Sequence, residues 1–123
     1  MPPVYPKSSI ALLDARVVAA TWAALLLVGI ALMLFLVMPT IARPVLKVSV
    51  PVFILLAVAH VALSFQHQCP VCSKRPTIQG FAPVHSDSKS QSALEGWGGA
   101  VVNILRRRRL ICIHCGSEFR VQP

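Results

Sequence analysis

Four cysteines carry the most specific chemistry in this chain. Cys69 and Cys72 stand in "CPVC", and Cys112 and Cys115 stand in "CIHC". A CxxC turn brings two thiolates to one ion from a single tight loop. Backbone N–H groups in the turn can donate to the sulfurs and spread their charge. Two such turns, brought together by a fold, supply a closed tetrahedral sulfur set, which suits zinc or iron. A closed set leaves no position for activated water. The expected role of the metal is therefore structural, supplying folding energy to a unit too small for a good core. The chain has no paired carboxylates, no nucleophile beside a base and no glycine-rich phosphate loop beside a strand. It is not expected to be an enzyme.

The elements that must position these cysteines are unusual. Of the 123 residues, 55% are hydrophobic and only 13% are charged, against about 25% charged in an ordinary soluble domain. The apolar residues crowd into the first half and the charges into the last third. Residues 1–16 read as a polar lead with three prolines. Residues 17–38, "VVAATWAALLLVGIALMLFLVM", carry no charge and no polar face. A hydrocarbon core of about 30 Å needs roughly 20 helical residues, so this run is long enough to span. It is too long for the apolar part of a signal peptide, and a second run follows it. Pro39 marks its expected end, and Asp14 and Arg16 are expected among the lipid headgroups at its start.

A loop over residues 39–47 and a second spanning helix over residues 48–65 complete an expected antiparallel hairpin. Lys47 can snorkel, Gln66 can sit at the interface, Ser49 can cap the helix, and Pro51 fits its first turn. Ala19, Ala20, Ala23 and Ala24, with Ala59 and Ala62, suit close helix packing, within the hairpin or against a partner. Two spans leave both termini on one side. The tail carries Lys74, Arg75, Lys89, Arg106, Arg107, Arg108, Arg109 and Arg120, against Arg43 and Lys47 in the loop. The excess predicts cytoplasmic termini. There the cysteines stay reduced and open to metal; outside, they could form two disulfides by any of three pairings.

The paired knuckles, CxxC and then CxxCG, resemble those of the zinc-ribbon family and, more loosely, the rubredoxins. The resemblance covers Cys69 to about Val121. Pro70 after the first cysteine and Gly116 after the last agree with it, and Gly116 would allow a positive φ just beyond the knuckle. Ser73, where many members have glycine, departs from it, as does the long segment 73–111 between the knuckles. The resemblance implies a zinc-ribbon domain over residues 66–123, with Cys69, Cys72, Cys112 and Cys115 as ligands of one Zn²⁺. One iron in the same thiolates is the alternative. Zinc is favoured because rubredoxins are usually acidic and lack this basic insert.

Within that insert, Thr77–Gln79 is expected as a short strand, "GFAP" as a turn and "HSDSKSQS" as a solvated linker. Ser92 with Glu95 three residues on has the form of a capping box. Trp97, Val101, Ile104 and Leu105 then share one helical face, although Gly96, Gly98 and Gly99 weaken the helix. Leu110–Ile113 should be the strand that enters the second knuckle.

The run Arg106–Arg109 is the sharpest charge feature. It can be a solvated helix end that suits the helix dipole. It can meet anionic lipid headgroups or a larger membrane complex together with Trp97. It can meet nucleic-acid phosphates, a weaker reading because no aromatic stacking set accompanies it. Part of the basic excess would also offset the net −2 of a four-thiolate zinc site. His60, aligned with Ser64 and His67, is expected as a neutral interfacial histidine. His114 is expected beside the metal ligands rather than on the metal.

The sequence reading is thus a transmembrane helical hairpin followed by a small zinc ribbon with an inserted amphipathic helix. The expected function is a membrane-anchored adaptor that contacts lipid or a membrane complex. The alternatives are a tethered rubredoxin-like electron carrier and a tethered nucleic-acid-binding ribbon.

Overall fold

A computed structural model describes residues 1–89 and 94–123. Two long helices come first: α1, Ser8–Val37, and α2, Pro39–Gln66. A short turn of helix follows as α3, Ser86–Lys89, then α4, Gly96–Arg107. Strands β1, Arg109–Ile111, and β2, Glu118–Arg120, close the chain as an antiparallel pair. Leu110 faces Phe119 across that pair.

Both α1 and α2 are long and apolar enough to cross a membrane. At 1.5 Å per residue they are about 45 and 42 Å long, against roughly 30 Å of hydrocarbon. Leu25, Leu26, Ile30, Met33 and Leu36 on α1, and Ile54, Leu55 and Val58 on α2, project outward with no protein over them. An apolar sheath of that size is unstable in water.

The helix ends differ from the sequence expectation at three places, each for a local reason. First, α1 starts at Ser8 rather than at residue 17. Ser8 Oγ donates to the Tyr5 carbonyl, and Ala11, Leu12, Ala15 and Val18 recur at three- and four-residue spacing on a buried face. Burial of that face extends the helix through the polar lead. Second, the segment 39–47 is not a loop. Met38 alone joins the helices, and Pro39 opens α2 at its first position, where its fixed φ and missing N–H suit a helix start. Third, Ser49 therefore does not cap a helix: it lies inside α2, buried, with no hydrogen-bond partner for its hydroxyl. Of the alanines expected between the helices, Ala24 is buried, Ala19 and Ala59 are half-buried, and Ala20, Ala23 and Ala62 are exposed; Ala31 and Ala42, farther along the hairpin, are buried as well.

The small domain packs beside the first turns of α1 rather than hanging below them. Its core joins Val101 and Ile104 of α4, Leu110, Phe119 and Val121 of the sheet region, and Cys69 and Cys112 to Ala11, Leu12, Ala15 and Val18 of α1. The amphipathic face read from the sequence is the one α4 buries, with Trp97 and Leu105 half-buried at its edges. Ser92 lies outside the described residues; Glu95 occupies the N-cap, with no side-chain cap bond. The lead is also part of the domain. Val4 bridges Arg120, Tyr5 N–H donates to the Arg120 carbonyl at 2.8 Å, and Arg120 N–H donates to the Pro3 carbonyl at 2.8 Å. Thr77–Gln79 is not a strand but part of an irregular segment with turns.

Candidate metal centre

The two knuckles have the same backbone. In the first, Ser73 N–H donates to the Cys69 carbonyl at 2.8 Å, and Cys69 N–H donates to the Lys74 carbonyl at 2.9 Å. In the second, Gly116 N–H donates to the Cys112 carbonyl at 2.9 Å, and Cys112 N–H donates to the Ser117 carbonyl at 2.9 Å. Residue by residue the two loops superpose in role. Ser73 and Gly116 hold the matching left-handed positions, at φ 60° and φ 75°. The glycine expectation at 116 holds, and the serine at 73 accepts the same conformation with a Cβ present.

The four sulfurs converge. Cys69 Sγ lies 3.7 Å from Cys115 Sγ, and Cys72 Sγ lies 3.6 Å from Cys112 Sγ. All four lie within 4.8 Å of one another, and all four cysteines are free thiols. A tetrahedron with metal–sulfur bonds of about 2.3 Å has edges of about 3.75 Å. The donor set therefore fits one tetrahedral metal ion, and zinc and iron fit it equally by this measure. Cys69 and Cys112 are buried, Cys72 and Cys115 half-buried.

The thiols differ in acidity. Burial pushes both Cys69 and Cys112 up. At Cys115 burial also opposes charge, but hydrogen bonds from the Ser117 hydroxyl and N–H outweigh it and bring the thiol down to about 7. The adjacent Tyr5 hydroxyl is pushed up by burial and then by the cysteines, so it stays protonated and donates to the Gln68 carbonyl at 2.7 Å. His114 is beside the sulfurs and not among them. Its Nε2 reaches the carbonyls of Arg75 at 3.0 Å and Ile78 at 3.2 Å, tying the second knuckle to the segment after the first.

A second cluster lies between this domain and the helices, and sequence reasoning missed it. Asp14 is fully buried rather than solvated among headgroups. Its Oδ1 accepts from His60 Nδ1 at 2.6 Å; its Oδ2 accepts from His67 Nε2 at 3.0 Å and from the Thr77 hydroxyl at 2.8 Å. His60 is thus half-buried with a carboxylate partner rather than a plain interfacial group, and it stacks on Trp97 at 6.0 Å between centroids. The two imidazoles take opposite oxygens of the carboxylate, so the cluster is a hydrogen-bond network and not a shared coordination point. One signal was available in the sequence: Asp14 is the sole acidic residue before Asp87.

The structure separates Trp97 from the arginine run. Trp97 packs against Trp22 of α1, with 5.8 Å between ring centroids. About 15 Å of helix lies between Trp97 and Arg107. The Arg108 carbonyl accepts from Val121 N–H at 2.8 Å, next to the Arg120 that bridges Val4 in the lead. The run therefore lies level with the residues before α1 begins, and Trp97 lies well along it. Arg106–Arg109 are all exposed; Arg109 pairs with Glu118 at 2.9 Å. No protein-family model, no curated protein and no solved structure matches this chain.

Proposed function

We propose that the chain is a small membrane-anchored zinc-ribbon protein that acts as a non-catalytic adaptor. In this reading α1 and α2 span the bilayer as a hairpin, both termini lie in the cytoplasm, and one Zn²⁺ sits in Cys69, Cys72, Cys112 and Cys115. The observation that carries it is the convergence of four free thiols at tetrahedral spacing in a domain packed directly on the first of two apolar helices. A module docked along α1 cannot search far from the bilayer, which suits an adaptor better than a mobile carrier.

The arginine run takes a membrane complex as its partner rather than lipid heads. Trp22 and Trp97 mark the bilayer-facing end of the domain, and the arginines lie at the other end of α4. Screening over about 8 Å in physiological salt leaves headgroups at that distance little hold on them. Elemental analysis and a visible spectrum of the detergent-purified protein test the site. About one zinc per chain without colour is the expected result. One iron with a red thiolate spectrum, or disulfides in place of free thiols, would overturn the reading. For the surface, Arg106–Arg109 changed to glutamine should leave binding to anionic liposomes unchanged. A large, salt-sensitive loss of that binding would return the run to the lipid surface.

A further inference from the structure

We infer that metal occupancy at the four cysteines controls the docking of the ribbon on the helix hairpin, with Asp14 as the latch. The inference rests on the metal reading of the cysteines. Its starting point is the origin of the groups that satisfy Asp14. His60 belongs to α2. His67 and Thr77 flank the first knuckle, one on each side. Both are fully buried, and both bond the same oxygen, Oδ2. The knuckle thus positions Thr77, while His67, the C-cap residue of α2, joins that knuckle to the helix.

The second knuckle acts on the same contact. His114, inside it, holds the carbonyls of Arg75 and Ile78, the residues that bracket Pro76 and Thr77. Tyr5 adds a further tie. Its hydroxyl donates to the Gln68 carbonyl, next to Cys69, and stands 3.4 Å from His67 Nδ1. Of the three side-chain bonds to Asp14, the one from Thr77 therefore comes from the segment that the metal would organise, and the one from His67 comes from the junction between α2 and the first knuckle. Among the described residues, the remainder of the domain is a pair of three-residue strands, α4 and the four-residue α3, a small frame for holding two knuckles together without an ion.

The consequence follows from the chemistry of a buried carboxylate. With the ribbon in place, Asp14 accepts three side-chain hydrogen bonds away from water. With the ribbon loosened, it loses Thr77 and keeps only the two histidines of α2 and its C-cap beside an apolar helix surface, where an incompletely paired carboxylate is strongly disfavoured. That state is relieved by undocking, which opens the Asp14 face of α1 to water or to a partner. Loss of the metal then becomes a change at the hairpin surface. Coupling is reciprocal, so weakening the latch must weaken metal binding, although Asp14 is not a ligand.

The chain's two tryptophans make this measurable, because Trp22 and Trp97 face each other across the docked interface. Two indoles this close give an exciton couplet in circular dichroism. The experiment uses the full chain in nanodiscs, loaded with cobalt(II). The thiolate-to-cobalt band reports the site and the couplet reports docking. Stripping the metal with a chelator should abolish the couplet, and reloading should restore it. Asp14→Ala and Thr77→Val should each keep the cobalt band, lose or diminish the couplet, and bind cobalt at least about fivefold more weakly, the lower end of usual coupling. Thr77→Val removes one hydroxyl at nearly constant shape, so it remains informative where Asp14→Ala fails to fold. A couplet that survives stripping, or unchanged cobalt affinity in Thr77→Val, would overturn the latch while leaving the metal site standing. Absence of the cobalt band in the wild-type chain would overturn the metal reading and the latch with it.

Discussion

The matched knuckles allow one local prediction to be worked through. Ser73 and Gly116 occupy equivalent positions at φ 60° and 75°, yet only one is a glycine. A side chain at left-handed φ costs about 1–2 kcal/mol. Ser73→Gly removes that strain but adds freedom to the unfolded chain, which returns about 0.5–1 kcal/mol. The net gain is about 0.5 kcal/mol. Gly116→Ala runs the other way and meets an obstacle besides. A Cβ there would stand 2.4 Å from His85 Nδ1 and 3.2 Å from Asp87 Oδ2. The His85 backbone is anchored by its N–H to the Ile113 carbonyl, so room must come from rotation of the half-exposed ring. The expected loss is therefore about 1.5 kcal/mol, the same net backbone cost of about 0.5 kcal/mol plus about 1 kcal/mol for turning the His85 ring out of its rotamer. Metal binding and folding are one equilibrium in a domain of this kind. Competition with a chromophoric zinc chelator thus reads both changes, at about 1.4 kcal/mol per tenfold. Ser73→Gly should bind zinc about twofold more tightly, and Gly116→Ala at least about tenfold more weakly. Weaker binding by Ser73→Gly, or an unaffected Gly116→Ala, would show that the two loops are not conformational equivalents and would remove the basis for the argument.

Two further outcomes follow from the same geometry. Zinc affinity should rise with pH through the neutral range. Binding requires thiolates, and burial keeps Cys69 and Cys112 protonated there while Cys115 titrates near 7; the slope, read by the same competition at several pH values, should be about tenfold per pH unit for each proton displaced. Ile104→Ala should destabilise the domain by about 2–5 kcal/mol, because Ile104 is fully buried between α4 and the rest of the core; thermal unfolding followed by near-ultraviolet circular dichroism would measure it, and a change under 1 kcal/mol would place α4 outside the cooperative core.

The sequence by itself determined the features that depend on neighbouring residues. Each CxxC pair is close in space because the chain is a tight loop there, so the candidate metal ligands were legible before any fold was known. Gly116 declared its left-handed position for the same reason. The apolar runs declared two long helices, and the spacing of Trp97, Val101, Ile104 and Leu105 declared the buried face of α4. Helix ends were less legible because burial sets them. The polar lead becomes helical only where the small domain covers Ala11 and Ala15, and Pro39 can stop one helix or start the next.

Only the tertiary structure decided what Asp14 does. Its partners His60, His67 and Thr77 lie 46, 53 and 63 residues away, and no local pattern encodes bonds of that range. It also decided that Trp97 and the arginines point to different surroundings, although ten residues separate them in the chain. A helix carries its two ends to different places, and which place each end reaches depends on what the helix packs against. Here that is α1, and the packing joins two long apolar helices and a four-cysteine domain, readable as two adjoining parts, into one unit.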